Sequence, residues 1–373
     1  MENFFFIIVK WLIGFLLLWK VPRCRKSPWK GKREERISVI IPARNEEANL
    51  PKLLDTLELQ TVRPEEIIVV DDSSTDKTSL LARKRGALVI QAGDLPDDWT
   101  GKTWACWKGA RAATGSHLLF LDADTQLEPD GLEKIIGEYR VQKRGLLSVY
   151  PYHAMEKLFE RLSAYFNLVT MMSMGIATVL GSRLKPMGAF GACILCSSQD
   201  YFLCGGHREV RREIMEDVAL GRLFSRKGLP MRCLAGRGTV RFRMYPEGIG
   251  QMIEGWSKNF ASGAKASHIG VVLLVFAWIY GNFEALACVL TASLQENALS
   301  LVGASLLYSA YVLQIHWMLR RIGNFGFHTA VLFPVSLLFF LFLFLYSLML
   351  TFVVRRVRWR GRSIVLHPKT DRG

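Results

Sequence analysis

The sequence lacks the usual phosphate loops. No Gly-x-Gly-x-x-Gly follows its first strand-like run, and no Walker loop occurs. A dinucleotide-dependent redox enzyme and an ATPase therefore both lose their main signature. Cysteine is sparse: the seven residues are odd in number and scattered. That excludes a visible disulfide framework and suits a reducing compartment. Cys193 and Cys196, with Cys204 and His207 downstream, count as four zinc-ligand types. Residues three apart in a strand face opposite ways, so buried free thiols are expected instead. There is no internal repeat and no low-complexity stretch. Acidic residues are in deficit, 33 against 48 Lys and Arg, for a formal net charge of +15. Excess positive charge suits nucleic acid or an anionic membrane surface.

What the 373-residue chain does have decides between those two. Half of it is hydrophobic, and basic clusters directly follow apolar runs. Phe4 to Leu18 is apolar apart from Lys10, and then come Lys20, Arg23, Arg25, Lys26, Lys30, Lys32, Arg33 and Arg36. Arg355, Arg356, Arg358, Arg360 and Arg362 follow the last apolar run. This is juxtamembrane placement, and no basic stretch interleaves with exposed aromatics, so a membrane partner is expected and no nucleic acid. The charge follows the first run and no small-residue cleavage site appears, which marks a retained anchor rather than a cleaved signal. Ile269 to Ala292, Leu299 to Leu319 and Ala330 to Val354 are each about long enough to span a bilayer. Three crossings after a cytoplasmic domain would put the basic tail outside, whereas the positive-inside tendency would keep it inside. A break at Pro334 would reconcile the two. The expected layout is an anchor at 1–22, a catalytic domain at 36–267, a transmembrane region at 268–354 and a basic tail at 355–373. A multi-pass protein of the cell membrane with a cytoplasmic catalytic domain is expected.

Between the anchor and the first long span, strand and helix patterns alternate. Ile37 to Ile41, Glu66 to Val70, Ala87 to Gln91 and His117 to Leu121 read as strands. Glu46 to Leu59, Asp76 to Gly86 and Trp104 to Thr114 read as helices. The alternation predicts an α/β fold with a parallel sheet covered on both faces. Farther along, Phe159 to Leu180 reads as an apolar helix that meets the membrane, Gly188 to Cys196 as a strand and Asp217 to Arg226 as a helix. Basic strands are expected near Arg237 to Arg243.

In such sheets ligands bind beyond the carboxyl ends of the strands. One strand end carries Asp122-Ala123-Asp124, whose two carboxylates can share a hard cation with a diphosphate. Mg2+ or Mn2+ is the expected cofactor. Another end carries Asp71 and Asp72, one able to accept from a uracil N–H and one able to cap the next helix. Lys102, in a loop before a helix, is placed to meet a phosphate as a point charge. Glu216 and Asp217 open a helix after Gly205-Gly206-His207, where a carboxylate is held ionised and can act as a base.

Taken together these residues resemble the family 2 glycosyltransferases. The run Ile37 to Thr78 is similar to the start of that domain, Leu121 to Asp124 to its metal motif and Glu216-Asp217 to its Glu-Asp motif, in the same order and spacing. The resemblance spans about Ile37 to Ala264. It implies a Rossmann-like, GT-A type fold for nucleotide-diphospho-sugar transfer, flanked here by transmembrane helices. Carried over position by position, it gives Pro42, Ala43, Asn45, Glu46, Asp72, Lys102 and Asp122 to the sugar nucleotide, and Asp124 with Asp122 to the metal. Asp217, with Glu216 beside it, takes the catalytic base position.

The processive members' Gln-x-x-Arg-Trp has only a partial counterpart in Gln251 to Trp256, one residue longer and without the arginine. That departure argues against a polysaccharide polymerase and leaves Gln251, Trp256 and Lys258 as acceptor-side candidates. A narrower resemblance runs through Gly145 to His153, Phe166-Asn167-Leu168, Gly205-Gly206-His207, Phe242 to Tyr245 and Glu254-Gly255-Trp256. It points to the branch of the family that works in C30 carotenoid synthesis. The branch implies a UDP-sugar donor, UDP-glucose, and an apolar carotenoid acceptor glucosylated on its carboxylate with inversion. Other lipid acceptors (a hopanoid, a polyisoprenyl phosphate, a diacylglycerol) and a non-enzymatic membrane scaffold remain the alternatives.

Overall fold

The computed structural model describes residues 2–25, 35–213, 215–264, 268–295, 298–350, 356–359 and 362–365. Lys26, Lys30, Lys32, Arg33, Arg355 and Arg360 of the basic clusters lie outside them, as does the tail beyond residue 365. The chain forms two compact units. One comprises Val21–Ala154 and Lys185–Arg243; the other comprises Met1–Lys20, Met155–Leu184 and Met244–Gly373.

The first unit is built on strands β1 (Ile37–Ala43), β2 (Glu66–Asp71), β3 (Leu88–Gln91), β4 (His117–Leu121), β5 (Thr125–Leu127), β6 (Leu146–Tyr150), β7 (Tyr152–His153), β8 (Cys193–Ser197), β9 (Met231–Ala235) and β10 (Val240–Phe242). Seven of them form one sheet in the order β3-β2-β1-β4-β8-β6-β9, and β5-β10-β7 form a second. The central strands read as unbroken apolar runs because both faces are covered. Alternate residues sort to opposite sides. Val39, Ile41, Leu119 and Leu121 join one core, with Leu53 and Leu57 of the helix Leu50–Glu58 and Ile135 of the helix Gly131–Gln142. Ile40, Leu118 and Phe120 join another, with Cys106 of the helix Gly101–Ala112 and Leu220 and Phe224 of the helix Glu216–Arg226. Cys193 and Cys196 fall into these two different cores as free, buried thiols.

The structure corrects three expectations here. The sheet is mixed: β8 runs antiparallel to both β4 and β6, a direction that hydrophobic period does not encode. Only Cys193 onward of the expected Gly188 to Cys196 strand joins the sheet. The preceding residues lie instead against the helix Glu216–Arg226, where a Cβ at Gly188 would come within 2.6 Å of the Val218 Cα. The helix expected from Glu46 begins at Leu50, with Pro51 in its first turn. Asn45 takes a φ of 53°, and the turn that follows is closed by the Asn49 N–H donating to the Glu46 carbonyl at 3.1 Å.

The second unit is largely helical. Its helices are Glu2–Leu17, Ala164–Ser173, Ile249–Ala264, Ile269–Leu294, Ala298–Ile322, Phe327–Val331 and Phe333–Met349. A hairpin of β11 (Arg356–Trp359) and β12 (Arg362–Val365) follows. Ile269–Leu294 and Ala298–Ile322 are long and apolar enough to cross a bilayer, which supports membrane association. The third expected span is split. The chain breaks at Leu332, and the helix Phe333–Met349 restarts with Pro334 in its first turn, where a missing N–H costs nothing. The helix expected over Phe159 to Leu180 is shorter as well. A 3-10 turn, Leu158–Ser163, leads into Ala164–Ser173, and the chain then turns at Gly175 with a φ of 76°, a conformation that ends helices.

Candidate active site

A cavity of about 260 Å³, counting its open mouth, lies at the carboxyl ends of β1 and β4. Pro42, Lys102, Asp122, Gly191, His207, Glu216 and Asp217 are among its lining. Five of these seven are residues that the sequence pattern singled out.

Lys102 stands in the first turn of the helix Gly101–Ala112. Thr100 and Thr103 close that helix with a reciprocal capping box, and the Thr100 N–H donates to the Arg211 carbonyl at 2.9 Å. A Cβ at Gly109 would come within 2.5 Å of the Ile40 side chain, so this glycine lets the helix lie close on β1. The start of the helix is thereby fixed, and the Lys102 ammonium reaches two carboxylates, Asp122 Oδ1 at 2.7 Å and Glu216 Oε1 at 3.1 Å. Burial alone would lower the lysine's pKa; the two carboxylates outweigh it and raise it well above the usual value. The two carboxylates therefore favour Lys102 as a cation, and about a third of its side-chain surface still meets solvent.

Asp122 follows β4 directly. Its N–H donates to the Ala192 carbonyl at 3.1 Å, and its own carbonyl accepts from the N–H and hydroxyl of buried Thr125. These bonds shape the tight turn that carries Asp124, half-buried, two residues farther on. Asp122 and Asp124 offer only hard oxygen donors, and the described residues hold no group of three or more metal-ligating side chains. Two carboxylates without a closed cage suit Mg2+ or Mn2+, which fill their shell with phosphate oxygens and water. They do not suit a structural zinc.

Asp217 is held on both oxygens. Oδ2 accepts from the Gly191 N–H at 2.8 Å, and Oδ1 from the Val218 N–H at 2.8 Å. Burial first and Glu216 second push its carboxyl up to about 6, against the pull of Lys102 and the two amides. The close approach rests on small residues: a Cβ on Gly191 would stand 2.9 Å from Asp217 Oδ2, and one on Gly221 would stand 2.5 Å from the Ala189 nitrogen.

The other strand-end acids divide their work. Asp71 accepts from the Ser74 N–H, the Ser79 hydroxyl and the Gln91 amide. Burial would raise it, and these bonds outweigh burial and hold it below the usual carboxylate range. Asp72 lies beside the Arg44 guanidinium at 3.6 Å and donates its N–H to the Ala43 carbonyl at 2.8 Å. Asn45 and Glu46 knit this loop to the next. Asn45 Oδ1 accepts from the Thr75 N–H, and the Glu46 N–H donates to the Thr78 hydroxyl. Of the acceptor-side candidates, Gln251 and Trp256 belong to the helix Ile249–Ala264 of the other unit. Trp256 stacks on Phe166 with ring centroids 4.8 Å apart, Gln251 accepts from the Glu247 N–H, and the Lys258 side chain lies outside the described residues.

Three comparisons bear on this site. The model of Glycosyl transferase family 2 matches residues 38–216. The chain is 36% identical over 330 residues, 88% of its length and 88% of the relative's, to 4,4'-diaponeurosporenoate glycosyltransferase of Staphylococcus aureus strain USA300. The chain belongs to glycosyl transferase family 2. Among solved structures, the mannosyltransferase PcManGT from Pyrobaculum calidifontis, in complex with GDP-Man and Mn2+, aligns with a TM-score of 0.52 at 15% identity. The alignment covers 93% of this chain and 96% of that one, a likeness of fold.

This family 2 glycosyltransferase therefore has the GT-A-like α/β domain that its motifs suggested. Sequence reading missed Gly191, Cys106 and His207 in the cavity wall. Burial pushes the Cys106 thiol well up, so it is an inert wall. His207 had a visible signal, two preceding glycines, but its role depends on a tyrosine that no local pattern links to it.

Proposed function

We propose that this glycosyltransferase moves glucose from UDP-glucose to the carboxylate of a C30 carotenoid acid, 4,4'-diaponeurosporenoate, at the cytoplasmic face of a membrane. One observation carries the reading of the site: the Lys102 ammonium bridges Asp122 and Glu216 in a cavity that also holds Asp217. The likeness to the staphylococcal enzyme over most of both chains supports the acceptor. The catalytic part is taken as residues 36–267, with a membrane anchor at 1–22 and membrane segments within 268–354.

The chemistry is a single displacement. A lone pair of the acceptor carboxylate forms the bond to the anomeric carbon as the bond to the diphosphate oxygen breaks. That electron pair leaves with UDP, and the configuration inverts. Lys102 is placed to exchange one carboxylate partner for the diphosphate, which is a stronger anion than either. A divalent cation held by Asp122 and Asp124 would neutralise charge on the leaving diphosphate as a Lewis acid. Asp72, Pro42 and Ala43 form the strand-end rim offered to uridine. A carboxylate acceptor is already ionised at neutral pH, its pKa being near ~4. Asp217 then orients the Gly191 segment and the sugar, and it has little proton to remove.

A donor screen on membranes carrying the protein tests this reading. UDP-glucose with Mn2+ is expected to label a lipid-soluble product when the carotenoid acid is present. Transfer from GDP-mannose but from no UDP-sugar would overturn the donor assignment.

A further inference from the structure

His207 is a polar cavity-wall residue to which the reaction just described gives no task. Its seat is built by two glycines. Gly205 and Gly206 take φ values of 84° and 53°, and a Cβ on Gly206 would stand 2.3 Å from the Tyr201 ring. Glycine here lets the backbone lie directly on that ring. The His207 N–H then donates to the Tyr201 hydroxyl at 3.1 Å, and His207 Nδ1 lies 2.9 Å from the same hydroxyl.

These two contacts fix the tautomer. A backbone N–H can only donate, so the phenol oxygen accepts there. Tyr201 is fully buried, and among the described residues its own hydrogen has Nδ1 as its acceptor. Nδ1 therefore accepts, and the proton of the neutral imidazole sits on Nε2. Burial, with Lys102 nearby, keeps the ring neutral. The Phe120 ring, 5.0 Å away and edge-on, holds its plane. Nε2 has no hydrogen-bond partner among the described residues, on a ring that lines the cavity with Lys102, Glu216 and Asp217.

We propose that His207 is a specificity-determining residue for the donor sugar: its Nε2–H donates to one hydroxyl of the hexose, and a neighbouring carboxylate, Glu216 or Asp217, accepts from that hydroxyl. A hydroxyl both donates and accepts, and so matches a wall that pairs one fixed donor with carboxylates. A phosphate only accepts and would be repelled by the same carboxylates; Lys102 serves it better. The inference rests on the sugar-nucleotide reading above.

The test is a cycle between side chain and substrate. Initial rates are measured with UDP-glucose and its 2-, 3-, 4- and 6-deoxy analogues, for wild type, His207→Phe and His207→Gln. UDP affinity is measured alongside. His207→Phe keeps a flat ring and loses the donor; His207→Gln keeps an N–H. Wild type is expected to use one deoxy donor at least about tenfold less well, because that donor loses the bonds to both His207 and the carboxylate. His207→Phe is expected to lose about tenfold in kcat/KM with UDP-glucose, to discriminate against that one deoxy donor less than wild type does, since only the carboxylate bond remains, and to bind UDP within about twofold of wild type. His207→Gln should regain part of the loss. An equal loss by His207→Phe on all five donors, or weakened UDP binding, overturns the proposal. Should His207→Phe fail to fold, Tyr201→Phe, which frees the tautomer, must reduce discrimination at the same hydroxyl, and unchanged discrimination overturns the proposal. If wild type takes only another sugar nucleotide, the UDP-glucose reading fails, and the same cycle on that sugar's deoxy series still decides the role of His207.

Discussion

The two units differ in how their charged groups are partnered. In the helical unit several polar side chains meet a fixed partner at close range. Lys10 meets Glu284 at 2.5 Å, the Trp278 indole donates to Gln314, and the Gln314 amide donates to the Trp11 carbonyl. Tyr165 donates to Asn282, and the Asn282 amide donates to the Trp278 carbonyl. Such bonds satisfy groups that an apolar setting cannot solvate, and they set helix register. In the sheet unit one cation is shared between two carboxylates, and a third carboxylate, Asp217, stands close by with a raised pKa. The contrast teaches where to look for function. Groups satisfied by fixed partners hold the fold, and charges shared around a cavity can change partners when a substrate arrives.

The comparison breaks most readily at Asp124, proposed above as a metal ligand. Asp124→Ala should lower transfer about 10²–10³-fold, the usual scale for losing one electrostatic stabiliser, with the melting temperature nearly unchanged. Retention of a tenth of the activity would remove Asp124 from the site. Gly191→Ala comes next. Its new Cβ must displace the Asp217 carboxylate, so a loss of about 10- to 100-fold in kcat is expected at a modest cost in stability. Wild-type kcat with a folded Gly191→Ala variant would show that Asp217 need not sit where it does.

The pH profile separates two roles for Asp217. Its folded carboxyl is raised to about 6, so it gains its proton as pH falls through that value. If it removes a proton from an alcohol acceptor, kcat/KM should fall below about pH 6. With a carboxylate acceptor, kcat/KM should stay flat through pH 6 and fall only as the acceptor itself protonates near ~4. An acid limb at 6 with the carotenoid acid would restore Asp217 as an obligatory base. The raised pKa also has a sign for stability. Its contribution is fully present below the unfolded value near 4 and is lost as pH rises through about 6, so Asp217→Asn should not destabilise the protein at neutral pH through charge. It can do so through geometry, since one amide end would face the Gly191 or Val218 N–H donor to donor.

The smallest effect belongs to the helical unit. Lys10→Met or Glu284→Gln alone should cost about 1 kcal/mol of stability, and the double substitution less than the sum of the two. Rates with the carotenoid acid should stay within twofold. A large loss of rate at unchanged stability would place this pair in the reaction.

Much of the catalytic unit was legible because its acids sit at strand ends and at a helix start, on the side of an α/β sheet where ligands bind. Asp72, Asp122 and Asp217 stood out by position and order, and the structure sets Asp122 and Asp217 in one cavity wall. The central strands were legible because their apolar runs are continuous. Hydrophobic period is blind to direction, so the antiparallel β8 was missed. The stretch Gly188 to Ala192 looked like strand because it is apolar, yet its two glycines, Gly188 and Gly191, let it lie against the next helix and hold Asp217. The helix after Leu158 ended early because a single glycine, Gly175, outweighed a run of apolar residues. His207 was invisible as a donor because its tautomer is set by Tyr201, through a contact that only the folded chain makes.

The central claim is best tested by the product itself. Membranes bearing the protein would be given UDP-[14C]glucose, Mn2+ and the C30 carotenoid acid, with Asp124→Ala membranes in parallel. The expected result is a labelled, coloured lipid that mild base hydrolyses to glucose and the free acid, as an ester must, and that Asp124→Ala membranes do not make. A labelled lipid stable to base, or one formed equally without the carotenoid acid, would contradict it.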